Sequence, residues 1–224
     1  MAEGSGTAGI VIDPPVKVGA WVGHQKFAAW LVEKMRPQCI VELGAYEGGS
    51  FFAFCEAVKV LGLDCECFAV DTWKGDAHSG FYGDDVFKRV ALLAADKYPM
   101  AYLARTTFDE AARWVPVGNL PIDILHIDGL HTYEAVKHDF ETWLPKMSEK
   151  GIVLLHDTQA KLPGFGVDRF FAELQAKYKT FEFLHSYGLG VVAVGEGAIM
   201  LNPELFGAVA HTVDANAVRK MFGG

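Results

Sequence analysis

The sequence predicts an α/β fold: a Rossmann-like, doubly wound sheet of seven strands that ends in a C-terminal antiparallel hairpin. Three observations predict it. Short apolar runs alternate with stretches of helical period along most of the chain. A glycine-bearing segment at 41–50, Val-Glu-Leu-Gly-Ala-Tyr-Glu-Gly-Gly-Ser, joins the first apolar run to the helix-like run that follows. The last two apolar runs, Phe181–His185 and Gly190–Val194, are separated by a short glycine-bearing connection and read as a hairpin.

The elements follow in order. A helix is expected over His24–Met35, ending near Pro37, then a first strand over Cys39–Leu43 and a helix over Ser50–Val60 that turns at Gly62. A second strand spans Glu66–Val70, and a long loop covers Asp71–Gly83. A loop of this length in a compact domain reads as an active-site lid or as a surface loop. Helix Asp84–Lys97 stops before Pro99, strand three covers Ala101–Ala104, and a short helix covers Phe108–Trp114. Strand four, Ile122–Ile127, is nearly all apolar, as a strand covered on both faces should be. Helix Thr132–Leu144 stops at Pro145; strand five is Ile152–Leu155, followed by helix Val167–Tyr178. Residues 1–19 read as a flexible N-terminal segment, 20–195 as the folded domain and 196–224 as a helical tail.

At 224 residues, of which 51% are hydrophobic and 21% charged, the chain is globular and long enough for a sizeable core. Its formal charge of −8 argues against broad contact with nucleic acid. No apolar run approaches the roughly 18–20 residues of a membrane span. The first ten residues lack the basic and apolar parts of a signal peptide. Cys39, Cys55, Cys65 and Cys67 have no zinc spacing and read as buried, reduced thiols of a cytoplasmic protein.

The strand ends hold the candidate chemistry, because ligands of such sheets bind beyond the carboxyl ends of the strands. Gly44 and Gly48 let backbone approach a ligand closely, Ser50 can cap the helix or bind a ligand, and Glu42 is a strand carboxylate that needs donors. Tyr46 stands where the dinucleotide pattern G-x-G-x-x-G has its second glycine, so that pattern is absent. Asp71, ending strand two, is placed to accept from ribose hydroxyls; Trp73 either stacks on a base or closes the core. Asp128 and Asp157 end strands four and five, which are expected to be neighbours. Two adjacent carboxylates need a proton, a basic partner or a cation, and Mg²⁺ is the common choice. Helix capping is the other reading of the pair.

Residues 42–50 resemble the first motif of class I S-adenosylmethionine-dependent methyltransferases, in the catechol O-methyltransferase version Glu-Leu-Gly-Ala-Tyr-x-Gly-x-Ser. The seven-strand plan extends the resemblance over nearly the whole chain. By that resemblance Tyr46 and Ser50 approach the cofactor carboxylate, Glu42 supports the loop, and the lead-in Trp21–His24, including Val22, covers the cofactor. Asp128 and Asp157 match the two metal aspartates. The third ligand departs from the family: Thr158 stands where catechol enzymes have Asn, and His156 where antibiotic-sugar enzymes have an extra Asp. His131 stands where catechol enzymes carry the lysine base, and a histidine can serve near neutral pH. The stretch His126–Phe140, followed by Gly151–Thr158, is similar to bacterial methyltransferase domains found beside glycosyltransferases.

The resemblance implies metal-assisted O-methyl transfer from S-adenosyl-L-methionine to a small-molecule acceptor such as a saccharide. It leaves room for a homo-oligomer or a glycosyltransferase partner. Two other classes are carried. A hydroxylase or hydrolase would use His131, His156 and Asp128 around the same metal; a non-catalytic partner would only bind cofactor.

Overall fold

The computed structural model describes residues 9–17, 19–207 and 214–223. Residues 1–8 and 18 of the segment expected to be flexible, and 208–213 and 224 of the expected tail, lie outside the described residues.

Strands β1 (Cys39–Leu43), β2 (Glu66–Asp71), β5 (Ala101–Arg105), β6 (Ile122–Ile127), β7 (Met147–His156), β8 (Lys179–Phe183) and β9 (Leu189–Ala193) form one sheet in the order β5-β2-β1-β6-β7-β9-β8. The first five in that order are parallel; β9 runs antiparallel to both β7 and β8. This is the predicted doubly wound plan. Inside the Asp71–Gly83 loop, β3 (Gly75–Asp76) and β4 (Gly80–Phe81) form a small ladder of their own.

Side-chain alternation explains why the sheet carries two cores. Ile40, Cys67, Ala69, Ile124, Ile152 and Leu154 face a core with α1 (Gln25–Met35), α2 (Gly49–Val60) and α3 (Asp84–Lys97). Val41, Phe68, Val70, Leu125, Val153 and Leu155 face the opposite core, with α4 (Phe108–Ala111), α5 (Tyr133–Trp143) and α6 (Val167–Gln175). Both faces being covered is why β1 and β6 are apolar almost throughout. After the hairpin come α7 (Glu196–Leu201), α8 (Pro203–Phe206) and α9 (Ala215–Met221). Ala198, Leu205, Phe206, Val218 and Phe222 join the first core, as do Ile10, Ile12 and Val16 ahead of the domain. The four cysteines are free and buried. No helix among the described residues is long and apolar enough to cross a membrane.

Two elements differ most from the sequence reading. β7 starts at Met147, well before the expected Ile152. Its early residues are polar and half-exposed, and it is Asp123 that draws them alongside β6. Ser148 Oγ donates to Asp123 Oδ1 at 2.7 Å, and Lys150 Nζ lies 3.4 Å from Asp123 Oδ2. The helix expected over Phe108–Trp114 stops at Ala111, and the chain leaves through turns before Pro116.

Gly44 shows how closely the strand ends are set. Its φ is 93°, and a Cβ there would lie 2.1 Å from the carbonyl oxygen of Asp128. Gly44→Ala should therefore destabilise the fold by about 2–3 kcal/mol, the upper range for a single change that forces backbone apart. Urea unfolding tests this; a loss under about 0.5 kcal/mol, the range of neutral surface changes, would refute the close approach.

Candidate active site

Strand order reverses between β1 and β6, so their carboxyl ends open a crevice. Backbone bonds lock its rim: Asp128 N donates to Leu43 O at 2.8 Å and Gly44 N to Val70 O at 2.9 Å. Two cavities occupy the crevice, of about 430 and about 520 Å³. Gly44, Tyr46, Ser79, Asp128 and His131 line both.

In the smaller cavity, Asp71 shapes the glycine loop. Its Oδ2 accepts from Ala45 N at 3.0 Å and Tyr46 N at 2.9 Å, and its Oδ1 accepts from Trp73 N at 2.7 Å. Three of the roughly four acceptor positions of a carboxylate are thus filled by backbone. Of the two roles open to Trp73, the structure gives it the core: the side chain is fully buried against Phe87, and Nε1 donates to Tyr46 O at 2.8 Å. It offers no free face to a base. Thr107, Phe108 and Asp109 also line this cavity. The sequence reading passed over them, although they follow strand three and the strand-end rule covers them too.

Glu42 and Ser50 belong to a buried chain of hydrogen bonds. Ser50 Oγ donates to Glu42 Oε1 at 2.7 Å, Glu42 Oε2 lies 3.1 Å from His126 Nδ1, and Trp21 Nε1 donates to His126 Nε2 at 3.0 Å. Burial raises the Glu42 pKa, while the hydrogen bonds from His126 and Ser50 oppose the rise.

Val22, expected beside the cofactor, lies away from the two cavities of the crevice. Residues Ala20–His24 form a 3₁₀ turn, in which residues three apart share a face. Trp21 and His24 point inward and are buried; Val22 points out and lines a separate groove with Ile10 and Ile12. Trp21 and Ala20 line the larger cavity instead.

Asp128, His131 and Asp157 offer ligand atoms that lie within 4.8 Å of one another. His131 Nε2 is 2.9 Å from Asp157 Oδ2 and 3.4 Å from Asp128 Oδ1. His156 Nδ1 is 3.2 Å from Asp157 Oδ2 and 3.4 Å from Asp128 Oδ1. The other His156 nitrogen, Nε2, is 3.1 Å from Ser186 O, a carbonyl that can only accept. Nε2 therefore carries a proton, and Nδ1 faces two carboxylates. It must hold a second proton or share a cation with them. Thr158, the other candidate third ligand, is buried beside Gly188 and lines neither cavity.

The charges answer one another. Burial disfavours charged His131 and His156, but Asp128 and Asp157 outweigh it and raise their pKa values to about 9 and about 10. Asp128 and Asp157 are lowered in turn: burial opposes, and the two imidazoles prevail. A divalent cation fits this donor set of two carboxylates and imidazole nitrogen, and would take the place of the imidazole protons.

The β8–β9 turn braces this corner. Asp157 N donates to Gly188 O at 3.1 Å, Gln159 N to Tyr187 O at 2.8 Å, and His185 Nε2 lies 3.1 Å from Gly23 O. From the other side, the loop between β2 and α3 reaches in through His78. Phe165 stacks on His131 at 4.5 Å and on His78 at 4.7 Å.

A Rossmann-like sheet with a glycine loop after β1 and a carboxylate at the end of β2 is the cofactor-binding crevice of an α/β enzyme. A family model described as "Methyltransferase domain" matches residues 41–158, more than half of the chain. The chain belongs to that family. An uncharacterized protein of Sinorhizobium fredii is 45% identical over 177 residues, 79% of this chain but 19% of that protein. An uncharacterized protein of Acanthamoeba polyphaga mimivirus is 28% identical over 158 residues, 64% of each chain. This chain thus spans less than two thirds of either relative. Among solved structures, a putative caffeoyl-CoA O-methyltransferase from Staphylococcus aureus aligns with TM-score 0.59 and 15% identity, over 83% of this chain and 85% of that one. A Podospora anserina methyltransferase bound to S-adenosylhomocysteine aligns with TM-score 0.59 and 14% identity, over 76% and 77%. The Streptomyces achromogenes O-methyltransferase of tomaymycin synthesis, bound to S-adenosylmethionine, aligns with TM-score 0.57 and 14% identity, over 77% and 79%. At these identities the structural likeness concerns the fold.

His24 lies behind the corner, fully buried, with neither ring nitrogen hydrogen-bonded. Burial, reinforced by His156 and His185, pushes its pKa down to about 3. The unfolded chain therefore takes up this proton first as pH falls. The stability of a neutral His24 is intact above about pH 6.5 and is lost progressively toward pH 3. Between pH 7 and pH 5 this one group should remove roughly 2 kcal/mol. Urea unfolding of His24→Phe should lack that component of the pH dependence; an identical slope in the variant would refute the assignment.

Proposed function

We propose that the protein transfers a methyl group from S-adenosyl-L-methionine to a hydroxyl of a saccharide or similar polar small molecule, with help from a divalent cation such as Mg²⁺. The observation that carries this reading is the meeting of Asp128, Asp157, His131 and His156 at the floor of the cavity that Ser50 and Tyr46 also line. The cofactor's adenosine fits the smaller cavity, beside Asp71 and Phe108, and its amino-acid end the larger one, beside Gly44 and Ser50.

Asp128 and Asp157 would hold the cation, with His156 Nδ1 as the third protein donor. When bound there, such an ion supplies Lewis acidity that lowers the pKa of a hydroxyl. Were the two carboxylates committed to that ion, the contacts that keep His131 protonated would weaken and its Nε2 would be free to take the acceptor's proton, with the ring held by the stacked Phe165. The crevice walls fix the acceptor against the cofactor, which is the positioning contribution to rate. Binding of cofactor alone, or an oxygenase using the same corner, would leave the glycine loop, Asp71 and family membership without a transfer reaction to serve. A cytoplasmic protein with residues 20–195 as its catalytic domain accords with the four buried free thiols.

Mn²⁺ binding, followed by electron paramagnetic resonance, and calorimetry with S-adenosylhomocysteine test the arrangement. Asp128→Asn and Asp157→Asn should each abolish Mn²⁺ binding and divalent-dependent transfer, yet leave the cofactor product bound within a fewfold. Full transfer in excess chelator would rule out the metal role.

His131→Gln separates base from ligand. As base, it should cost roughly 10²–10⁴ in turnover with Mn²⁺ affinity preserved. Loss of Mn²⁺ affinity, with turnover restored at saturating metal, would move His131 into the ligand set.

A further inference from the structure

The chain between β2 and α3 is built as a unit that bonds to itself. Gly75 and Asp76 pair with Phe81 and Gly80 in the β3–β4 ladder. Asp76 Oδ1 accepts from His78 N at 2.6 Å and from Ser79 N at 2.8 Å, and Asp76 N donates to Ser79 Oγ at 3.2 Å. Tyr82 N closes the base on Lys74 O at 3.2 Å. A Cβ on Gly75 would lie 1.9 Å from Gly80 O, so the two arms touch. Among the described residues, every hydrogen bond made by residues 75–82 stays within residues 74–82. Yet this unit walls the crevice: Gly75, Asp76, Ser79 and Tyr82 line the smaller cavity, and Ser79 also lines the larger. What holds it against the body is ring packing. At its base Tyr82 meets Tyr46 at 5.0 Å. At its tip His78 stacks on Phe165 at 4.7 Å, and Phe165 stacks on His131 at 4.5 Å with the rings 2° from parallel. His78 Nδ1 is buried without a hydrogen bond, and a Cβ on Gly164 would lie 3.2 Å from its Nε2. His78 therefore serves as a ring and not as a polar group.

We propose that residues 75–81 are a lid over the crevice, and that His78 is a positioning residue: its stack on Phe165 latches the lid shut and, through Phe165, fixes the ring of His131. The inference rests on the cofactor reading above. A self-bonded segment can swing as one body, because opening breaks none of its hydrogen bonds. Lys74 and Gly83 frame the unit and would take up the change in backbone angles. Each stacked pair contributes little, so a latch of this kind opens often. It joins protein groups alone and so acts equally on the empty and the filled crevice. The latch therefore sets how fast cofactor enters and leaves, and leaves its affinity unchanged. Phe165 touches both His78 and His131, so closure over the cofactor and alignment of the His131 ring are one event.

Two measurements test the lid. The first is surface plasmon resonance with S-adenosylhomocysteine. His78→Ala should raise the association and dissociation rates together, each roughly three- to tenfold, as befits loss of an aromatic pair, with Kd unchanged. Phe165→Ala should do the same. His78→Phe, which keeps the ring, should restore the wild-type rates. Unchanged rates in both alanine variants would make residues 75–81 a fixed wall and overturn the inference alone. So would a dissociation rate that rises by itself and weakens Kd, or a His78→Phe protein that behaves like His78→Ala. The second measurement needs no ligand: nuclear magnetic resonance of the histidine ring signals, with that of His131 assigned through His131→Gln. The His131 signal should broaden or shift in His78→Ala and return to its wild-type form in His78→Phe. A His131 signal indifferent to both changes would remove the positioning role. Failure of the wild-type protein to bind S-adenosylhomocysteine would remove the cofactor reading, and the latch would then stand or fall on the ring signals.

Discussion

The approach of Gly44 to the carbonyl of Asp128 is the constraint on which the rest of the crevice depends. Only a residue without a Cβ lets the end of β1 lie this close to the end of β6. From that contact the cofactor loop runs one way and the carboxylate–imidazole corner the other. A wider gap would separate the two subsites and leave Asp128 outside the cavity shared with Tyr46. The spacing of the two cavities is therefore set by backbone contact between neighbouring strands of the sheet.

Backbone strain gathers at the same place. Tyr46, Trp73 and Asp157 all have positive φ, at 46°, 52° and 67°, although none is glycine. Each such residue costs on the order of 1 kcal/mol or more and persists only where its surroundings over-determine it. Those surroundings are identifiable. Asp71 holds Tyr46 and Trp73 by their N–H groups, and Gly188 holds Asp157 by its own. The charge pairs at the corner have the same character. Two imidazoles and two carboxylates balance, so a buried charge never stands alone.

Much of this was legible in the sequence because the periodic signals are strong. β1, β6 and α3 fall on the residues that the pattern marks, Cys39–Leu43, Ile122–Ile127 and Asp84–Lys97. Asp128 and Asp157 were found because they end adjacent strands. The misses share a physical cause: they depend on contacts between distant residues. Asp123 recruits the polar start of β7 from more than twenty residues away. Val22 and Trp21 are neighbours in sequence, but the 3₁₀ turn sends them to different cavities. Trp73 looks like a ligand platform beside Asp71, yet the loop folds it under Tyr46. His126 reads as a core histidine, and it is one; its ties to Trp21 and Glu42 reach back about a hundred and about eighty residues along the chain.

The turn between β8 and β9 bears on how such a chain can drift in sequence. Its carbonyls at Ser186, Tyr187 and Gly188 grip His156, Gln159 and Asp157, and His185 meets the backbone of Gly23. An insertion there would carry the carboxylate–imidazole corner with it. The turn at Gly62 has empty space around its Cα and touches none of these groups. Length variation among relatives should therefore collect at Gly62 and be purged at the hairpin, although both are surface turns with glycine at positive φ.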